Sequence, residues 1–191
     1  MEGPPEAAYD SLVSVLEPEV ALWEKIGHLF TEDDGALPEV ELKDLMLRGA
    51  ERIYRALLAA APALPETVTL WSLAEGREVL LREVRNPVGE VFAGRIEHIY
   101  FDLNDVVVGS VLIPPLGVAV FPGQIALDYS ARDPWNATVL AAFARLLGSL
   151  RALDAGGRLA WWEATGLTEV STLFVTAVEQ FLSATTPGRR P

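Results

Sequence analysis

The sequence predicts an α+β protein: an antiparallel sheet of five to six strands packed by helices, preceded by a helical arm. Residues 97–129 are rich in Val, Ile, Tyr and Phe, and turn residues divide them into runs of about seven residues, a composition typical of strands. The stretches before and after them carry apolar residues at helical spacing. Strands grouped between helices are typical of α+β proteins.

Residues 1–37 form the predicted arm, with helices over 6–16 and 18–30 separated near Pro18. A third helix is predicted over 38–61. It would begin at Pro38 and carry acid–base pairs four residues apart, among them Glu39 with Lys43. Residues 38–186 are expected to form one domain, and 187–191 a disordered tail.

The middle of the chain is predicted to be a meander of strands. Asn104 and Asp105 tolerate the positive φ of a tight turn, so they are expected to form a two-residue hairpin loop that places Phe101 opposite Val108. Asn86 to Gly89 is expected to form a turn. The predicted strands are Thr67–Leu73, Arg77–Val84, Val91–Leu103, Val106–Ile113, Gly117–Phe121 and Gln124–Tyr129.

Two helices and a strand follow the meander. Asp133 and Pro134 are typical of a helix start, and this helix is predicted to run to Leu153. A short strand is predicted over Leu159–Glu163. The last helix is expected to begin at Thr165 or Thr168 and end near Ala184.

Composition limits the possible functions. The chain has no cysteine, which excludes disulfides, thiolate metal sites and cysteine nucleophiles. Its net charge of −12 should repel nucleic acid and anionic membranes and attract a basic protein. With neither an apolar run of about 20 residues nor a secretion signal at the N-terminus, a cytoplasmic protein is expected.

The sequence contains no dinucleotide-binding, phosphate-loop or zinc-hydrolase motif, so no catalytic residue, cofactor or metal site is predicted. His98 and Asp102 lie four residues apart on a predicted strand, about 13 Å between α-carbons, too far for a hydrogen bond. His98, Tyr100 and Asp102 would nevertheless share one sheet face, which makes them the candidate ligand site of an enzyme or sensor. Asp102, Asp128 and Glu163 are possible members of a carboxylate pair, although their spacing does not select them.

Three tryptophans are the candidate partner-binding residues: Trp135, Trp161 and Trp162. Neighbouring residues on a strand point to opposite faces, so only one of Trp161 and Trp162 can enter the core. The other requires a partner protein or cover from the N-terminal helices.

The order of elements over residues 38–185 resembles that of type III secretion chaperones and YbjN-like proteins. The resemblance runs through the helix opened by Asp133-Pro134-Trp135, the strand Leu159–Glu163 and the closing helix Thr168–Ala184. It implies a non-enzymatic homodimer that binds another protein. A chaperone-like or adaptor module is therefore the first hypothesis. The alternatives are an acidic inhibitor or immunity protein that masks a basic enzyme through residues 1–66, and a ligand sensor or enzyme.

Overall fold

The computed structural model describes residues 17–33, 35–60, 67–162 and 166–185, and it confirms the α+β class. The predicted helix 6–16 and the tail 187–191 lie outside the described residues. The helices of the described part are α1 (17–26), α2 (Leu47–Ala60), α3 (Pro87–Phe92), α4 (Ala137–Arg151) and α5 (Thr168–Thr185). The strands are β1 (Glu39–Lys43), β2 (Thr69–Ser72), β3 (Arg77–Leu80), β4 (Ile99–Leu103), β5 (Val107–Val108), β6 (Val111–Leu112), β7 (Leu116–Phe121), β8 (Gln124–Asp128) and β9 (Arg158–Trp161).

A five-stranded antiparallel sheet with the order β4–β7–β8–β1–β9 forms the centre of the fold. Two separate hairpins, β2–β3 and β5–β6, lie beside it. Helices α2, α4 and α5 supply buried side chains to the core on one sheet face. In the described residues, no helix combines the length and apolar character that crossing a bilayer requires.

The prediction of a helix over 38–61 is wrong for its first part, because residues 39–43 form the strand β1. In this strand Val40 and Leu42 alternate with charged residues and are fully buried, which is the two-residue period of a strand. Pairing with β8 on one side and β9 on the other satisfies the backbone of β1. These long-range contacts outweigh helical charge pairs worth a few tenths of a kcal/mol each.

Helix α2 begins only after β1, and a distant side chain caps it. The buried carboxylate of Asp154 accepts a hydrogen bond from the Met46 amide at 3.0 Å. Gly49 permits this approach, since a Cβ there would lie 1.8 Å from an Asp154 oxygen. The start of α2 therefore depends on the loop between α4 and β9.

The predicted pairing of residues 99–103 with 106–110 is also wrong. β4 pairs with β7 instead, so that Phe101 lies opposite Val118. Residues 107–112 close their own short hairpin around Gly109, whose φ of 65° suits a turn. This nearby turn allows β5 to pair locally with β6 and leaves β4 free for β7.

Two further predictions are corrected at helix starts. The expected turn at 86–89 is the beginning of α3, where the Asn86 side chain accepts a hydrogen bond from the Gly89 amide at 3.2 Å. The strand predicted over Val91–Leu103 is correspondingly shorter, because α3 ends at Phe92 and β4 begins only at Ile99. Helix α4 begins at Ala137 rather than at Pro134, and its cap is Asn136. The last helix, α5, is confirmed.

An aromatic cluster joins the arm to the core. Its members are Phe30, Tyr129, Trp135, Phe143 and Phe174. The Tyr129 hydroxyl donates to the Leu29 carbonyl at 3.0 Å and accepts from the Trp161 indole at 2.9 Å. The described part of the arm thus packs directly against the sheet and the C-terminal helices.

Candidate functional site

The sheet face that points away from the core carries a line of carboxylates across four strands. Strand register places Asp102 beside Gly117, Gly117 beside Asp128, and Asp128 beside Glu39. We call Asp102, Asp128 and Glu39 the carboxylate row. Because Gly117 has no side chain, nothing on β7 separates the side chains of Asp102 and Asp128.

Gly117 allows Asp128 to lean across β7 towards β4. A Cβ on Gly117 would lie 2.2 Å from an Asp128 carboxylate oxygen. In this position Asp128 interacts with the Gly117 amide and the Tyr100 hydroxyl, and both interactions favour its ionised form by lowering its pKa. The sheet face therefore holds a tyrosine–aspartate pair that spans three strands.

The surroundings of the carboxylate row disfavour the ionised forms of Asp128 and Glu39. Burial raises the pKa of Asp128, and the neighbouring Asp102 raises it further, against the opposing effect of the Tyr100 hydroxyl and the Gly117 amide. Burial also raises the pKa of Glu39, as do the charges of Glu41 and Asp128. The pKa of Tyr100 is raised to about 12 by burial and by the nearby carboxylates, so the hydroxyl remains a hydrogen-bond donor at neutral pH.

The cations of this face lie at the other end of β1. Lys43 is paired in register with Arg158 of β9. Arg158 is bound to Asp44 at 2.7 Å, and the Lys43 amine lies 3.8 Å from the Glu41 carboxylate. Both cations thus lie beside carboxylates of their own, at the opposite end of β1 from the carboxylate row.

The predicted ligand residues His98, Tyr100 and Asp102 do share one sheet face. Tyr100 and Asp102 alternate with buried residues of β4, whereas the ring of His98 stacks on Phe121 with centroids 5.6 Å apart. Tyr100 is 45% exposed and Phe121 38% exposed, so the face is open around these two rings, whereas Glu41 on the same face is buried. The structure brings Tyr100 together with Asp128, a partner that the sequence did not indicate.

The carboxylate row does not gather three ligands for a metal ion among the described residues. In the described part of the chain, no group of three or more acidic or histidine side chains is close enough to bind a metal.

The tryptophans occupy different places from those expected. Trp135 and Trp161 are core residues, 6% and 5% exposed, so neither presents its ring to a partner. Trp162 is half-buried, and its ring meets that of Trp161 edge-on, with centroids 5.8 Å apart. The expectation of opposite faces is wrong because β9 ends at Trp161, and Trp162, with a φ of 40°, leaves the strand conformation.

Sequence reasoning overlooked Glu39 and Gly117 and gave no reason to choose Asp128. Glu39 was assigned to a helix, although the alternation of charged and apolar residues from Glu39 to Lys43 would have indicated a strand. Asp128 becomes notable only when the register of β7 and β8 is known. Glu163, the third carboxylate considered, lies outside the described residues.

Comparison of the chain with models of protein families, with curated proteins and with solved structures yields no match. The resemblance to secretion chaperones and YbjN-like proteins therefore stays a prediction, and the function is argued from the site alone.

Proposed function

We propose that this protein is a non-enzymatic binding module that holds a basic segment of another protein on the open face of its sheet. The observation that carries the proposal is the carboxylate row of Asp102, Asp128 and Glu39, which is flanked by the exposed ring of Tyr100. Carboxylates with raised pKa values would gain from a nearby cation, because a positive charge favours their ionised form.

The aromatic side chains beside the row fit the same kind of partner. Tyr100 and Phe121 present exposed ring surface on the sheet face. Lysine and arginine side chains bind the faces of such rings and direct their charge to neighbouring carboxylates. An extended basic segment would place alternate side chains on this surface.

The acidic-inhibitor hypothesis differs from this proposal only in the identity of the partner, which would be a basic enzyme. The charges that support it come from two parts of the sequence: Glu39 lies within residues 1–66, but Asp102 and Asp128 do not. We therefore assign the contact to the sheet face rather than to the N-terminal third of the chain.

Binding of a fluorescent peptide of alternating lysine and threonine, measured by fluorescence anisotropy, tests the proposal. We expect the double variant Asp102→Asn/Glu39→Gln to bind about fivefold to tenfold more weakly than the unaltered protein, since each lost charge pair is worth up to about 1 kcal/mol. Affinity should also fall as salt is added. The variant keeps Asp128, Gly117 and Tyr100, so the local structure is retained.

The matched control is Glu78→Gln/Glu169→Gln, which removes the same charge from exposed positions on β3 and α5. It should change the affinity by less than about twofold. Equal weakening in both variants would mean that the peptide responds only to the net charge of −12, and the sheet face would lose its assigned role.

The homodimer implied by the resemblance is proposed as well. Two copies meeting through their carboxylate rows would repel each other. A dimer would therefore form through another surface and leave the binding face open. Light scattering of the Asp102→Asn/Glu39→Gln variant should then give the same mass as the unaltered protein.

A further inference from the structure

A second polar site lies on the helical side of the sheet, in a cavity of about 290 Å³ between α2 and the start of α3. Its lining includes Glu51, Tyr54 and Arg55 of α2, together with Arg85 and Asn86. The three residues of α2 are three and four positions apart, so they share one face of the helix.

Tyr54 supplies a buried phenol to the lining of this cavity. The residue is only 6% exposed, and its ring packs edge-on against Phe101 at a centroid distance of 5.9 Å. Among the described residues its hydroxyl has no hydrogen-bond partner, yet it is not sealed from solvent. Burial raises the pKa of Tyr54 to about 12, which keeps the hydroxyl protonated.

Two arginines line the same cavity without a carboxylate partner in the described part of the chain. Arg85 forms no ion pair there, and Arg55 uses its Nε atom to donate to the Glu51 main-chain oxygen at 3.1 Å. Nearby arginines behave differently, since Arg77 is bound to Glu75 at 2.6 Å and Arg95 to Glu90. Arg55 and Arg85 differ from other arginines without an ion pair, such as Arg52, in that both line one cavity.

Glu51 is the one carboxylate of this lining, and it is already engaged. Its Oε1 atom accepts a hydrogen bond from the Asn86 side chain at 2.8 Å. Asn86 in turn caps α3 by accepting from the Gly89 amide. These two residues form one side of the cavity. The charged groups of the lining are one carboxylate, Glu51, and two guanidinium groups, Arg55 and Arg85.

We propose that this cavity binds a small oxyanion, a phosphate or carboxylate group held by Arg55, Arg85 and the Tyr54 hydroxyl. A guanidinium group offers several donors in a fixed planar arrangement that matches the oxygens of such anions. The phenol adds a neutral donor from the buried side. The site is distinct from the proposed partner-binding surface, because Tyr54 contacts the core-facing residue Phe101 of β4.

Titration of the ¹⁵N-labelled full chain with inorganic phosphate, and separately with acetate, at constant ionic strength tests this proposal by NMR. We expect saturable shifts of the Arg55 and Arg85 Nε–H signals. Tighter binding of phosphate would identify a tetrahedral dianion as the preferred ligand, and tighter binding of acetate a carboxylate. Shifts that rise linearly without saturation for both anions would overturn the proposal.

Three variants test which residues bind the anion. Arg85→Gln and Tyr54→Phe should each weaken binding by at least about fivefold, because each removes a donor to a charged ligand. Arg52→Gln is the matched control: it removes the same charge from a position of α2 that is exposed like Arg55 and Arg85 but does not line the cavity, and its side chain donates only to the Arg48 carbonyl. Equal weakening by Arg52→Gln and Arg85→Gln would also overturn the proposal. Tyr54→Phe loses no intramolecular hydrogen bond among the described residues, so its fold should be unchanged.

Discussion

Glu39, one carboxylate of the proposed binding surface, should lower the stability of its own chain when it is ionised. Its carboxylate lies on β1 beside Asp128, partly out of water, and burial raises its pKa. The folded protein therefore holds this proton to a higher pH than the unfolded chain does. Consequently, stability decreases as the pH rises from the unfolded pKa through the raised folded pKa.

Replacement of Glu39 by glutamine should remove this penalty. At about pH 7 we expect Glu39→Gln to be more stable than the unaltered protein by less than about 1 kcal/mol, since the group is only partly buried. At about pH 3 the Glu39 carboxyl would be protonated in both the folded and the unfolded state, so the difference in stability between the two proteins should vanish. Urea denaturation at the two pH values measures it. A variant that is less stable than the unaltered protein at neutral pH would contradict this account.

At the residue scale, the sequence alone predicted part of the candidate site. Alternation along β4 correctly placed His98, Tyr100 and Asp102 on one face, because that property depends only on neighbours in sequence. The partners Asp128 and Glu39 could not be predicted in the same way. Their proximity depends on which strands are adjacent, and this is decided by contacts between distant parts of the chain.

At the element scale, the same distinction separates the confirmed elements from the corrected ones. The hairpin of β7 and β8 was predicted from Pro122 and Gly123 between two apolar runs, and its register was set by that local turn. β1 was missed because it lies between β8 and β9, more than 80 residues away in sequence. The alternation from Glu39 to Lys43 indicates this strand locally, but it spans only five residues and the helical spacing of Glu39 and Lys43 competes with it.

The start of α4 gives a direct test of a local correction. The sequence indicated Asp133 as the helix cap, but the structure assigns this role to Asn136, whose side chain accepts from the Val139 amide at 3.1 Å. We expect Asn136→Ala to lower the free energy of unfolding by about 1 kcal/mol, the usual value of a lost cap. Asp133→Ala should lower it by less than half as much. Thermal or urea denaturation of the two variants compares them, and the reverse order would restore the original assignment.

At the scale of the whole molecule, Tyr129, which follows β8, connects the N-terminal arm to strand β9 through its hydroxyl. It donates to Leu29, which follows α1, and accepts from Trp161 at the end of β9. Phe30 stacks on the same tyrosine ring at a centroid distance of 4.5 Å and is fully buried. The described arm and the sheet should therefore unfold together rather than one after the other.

Tyr129→Phe tests this coupling, because it keeps the ring and removes both hydrogen bonds. It would leave the Leu29 carbonyl and the Trp161 indole without their partner, and we expect a loss of about 2–4 kcal/mol in the free energy of unfolding, from about 1–3 kcal/mol for each stranded group. Tyr54→Phe, whose hydroxyl has no partner among the described residues, should lose far less. Urea denaturation followed by tryptophan fluorescence and by circular dichroism should give coincident transitions for the unaltered protein. An arm transition that precedes that of the sheet, or equal losses in the two variants, would show that this junction does not couple them.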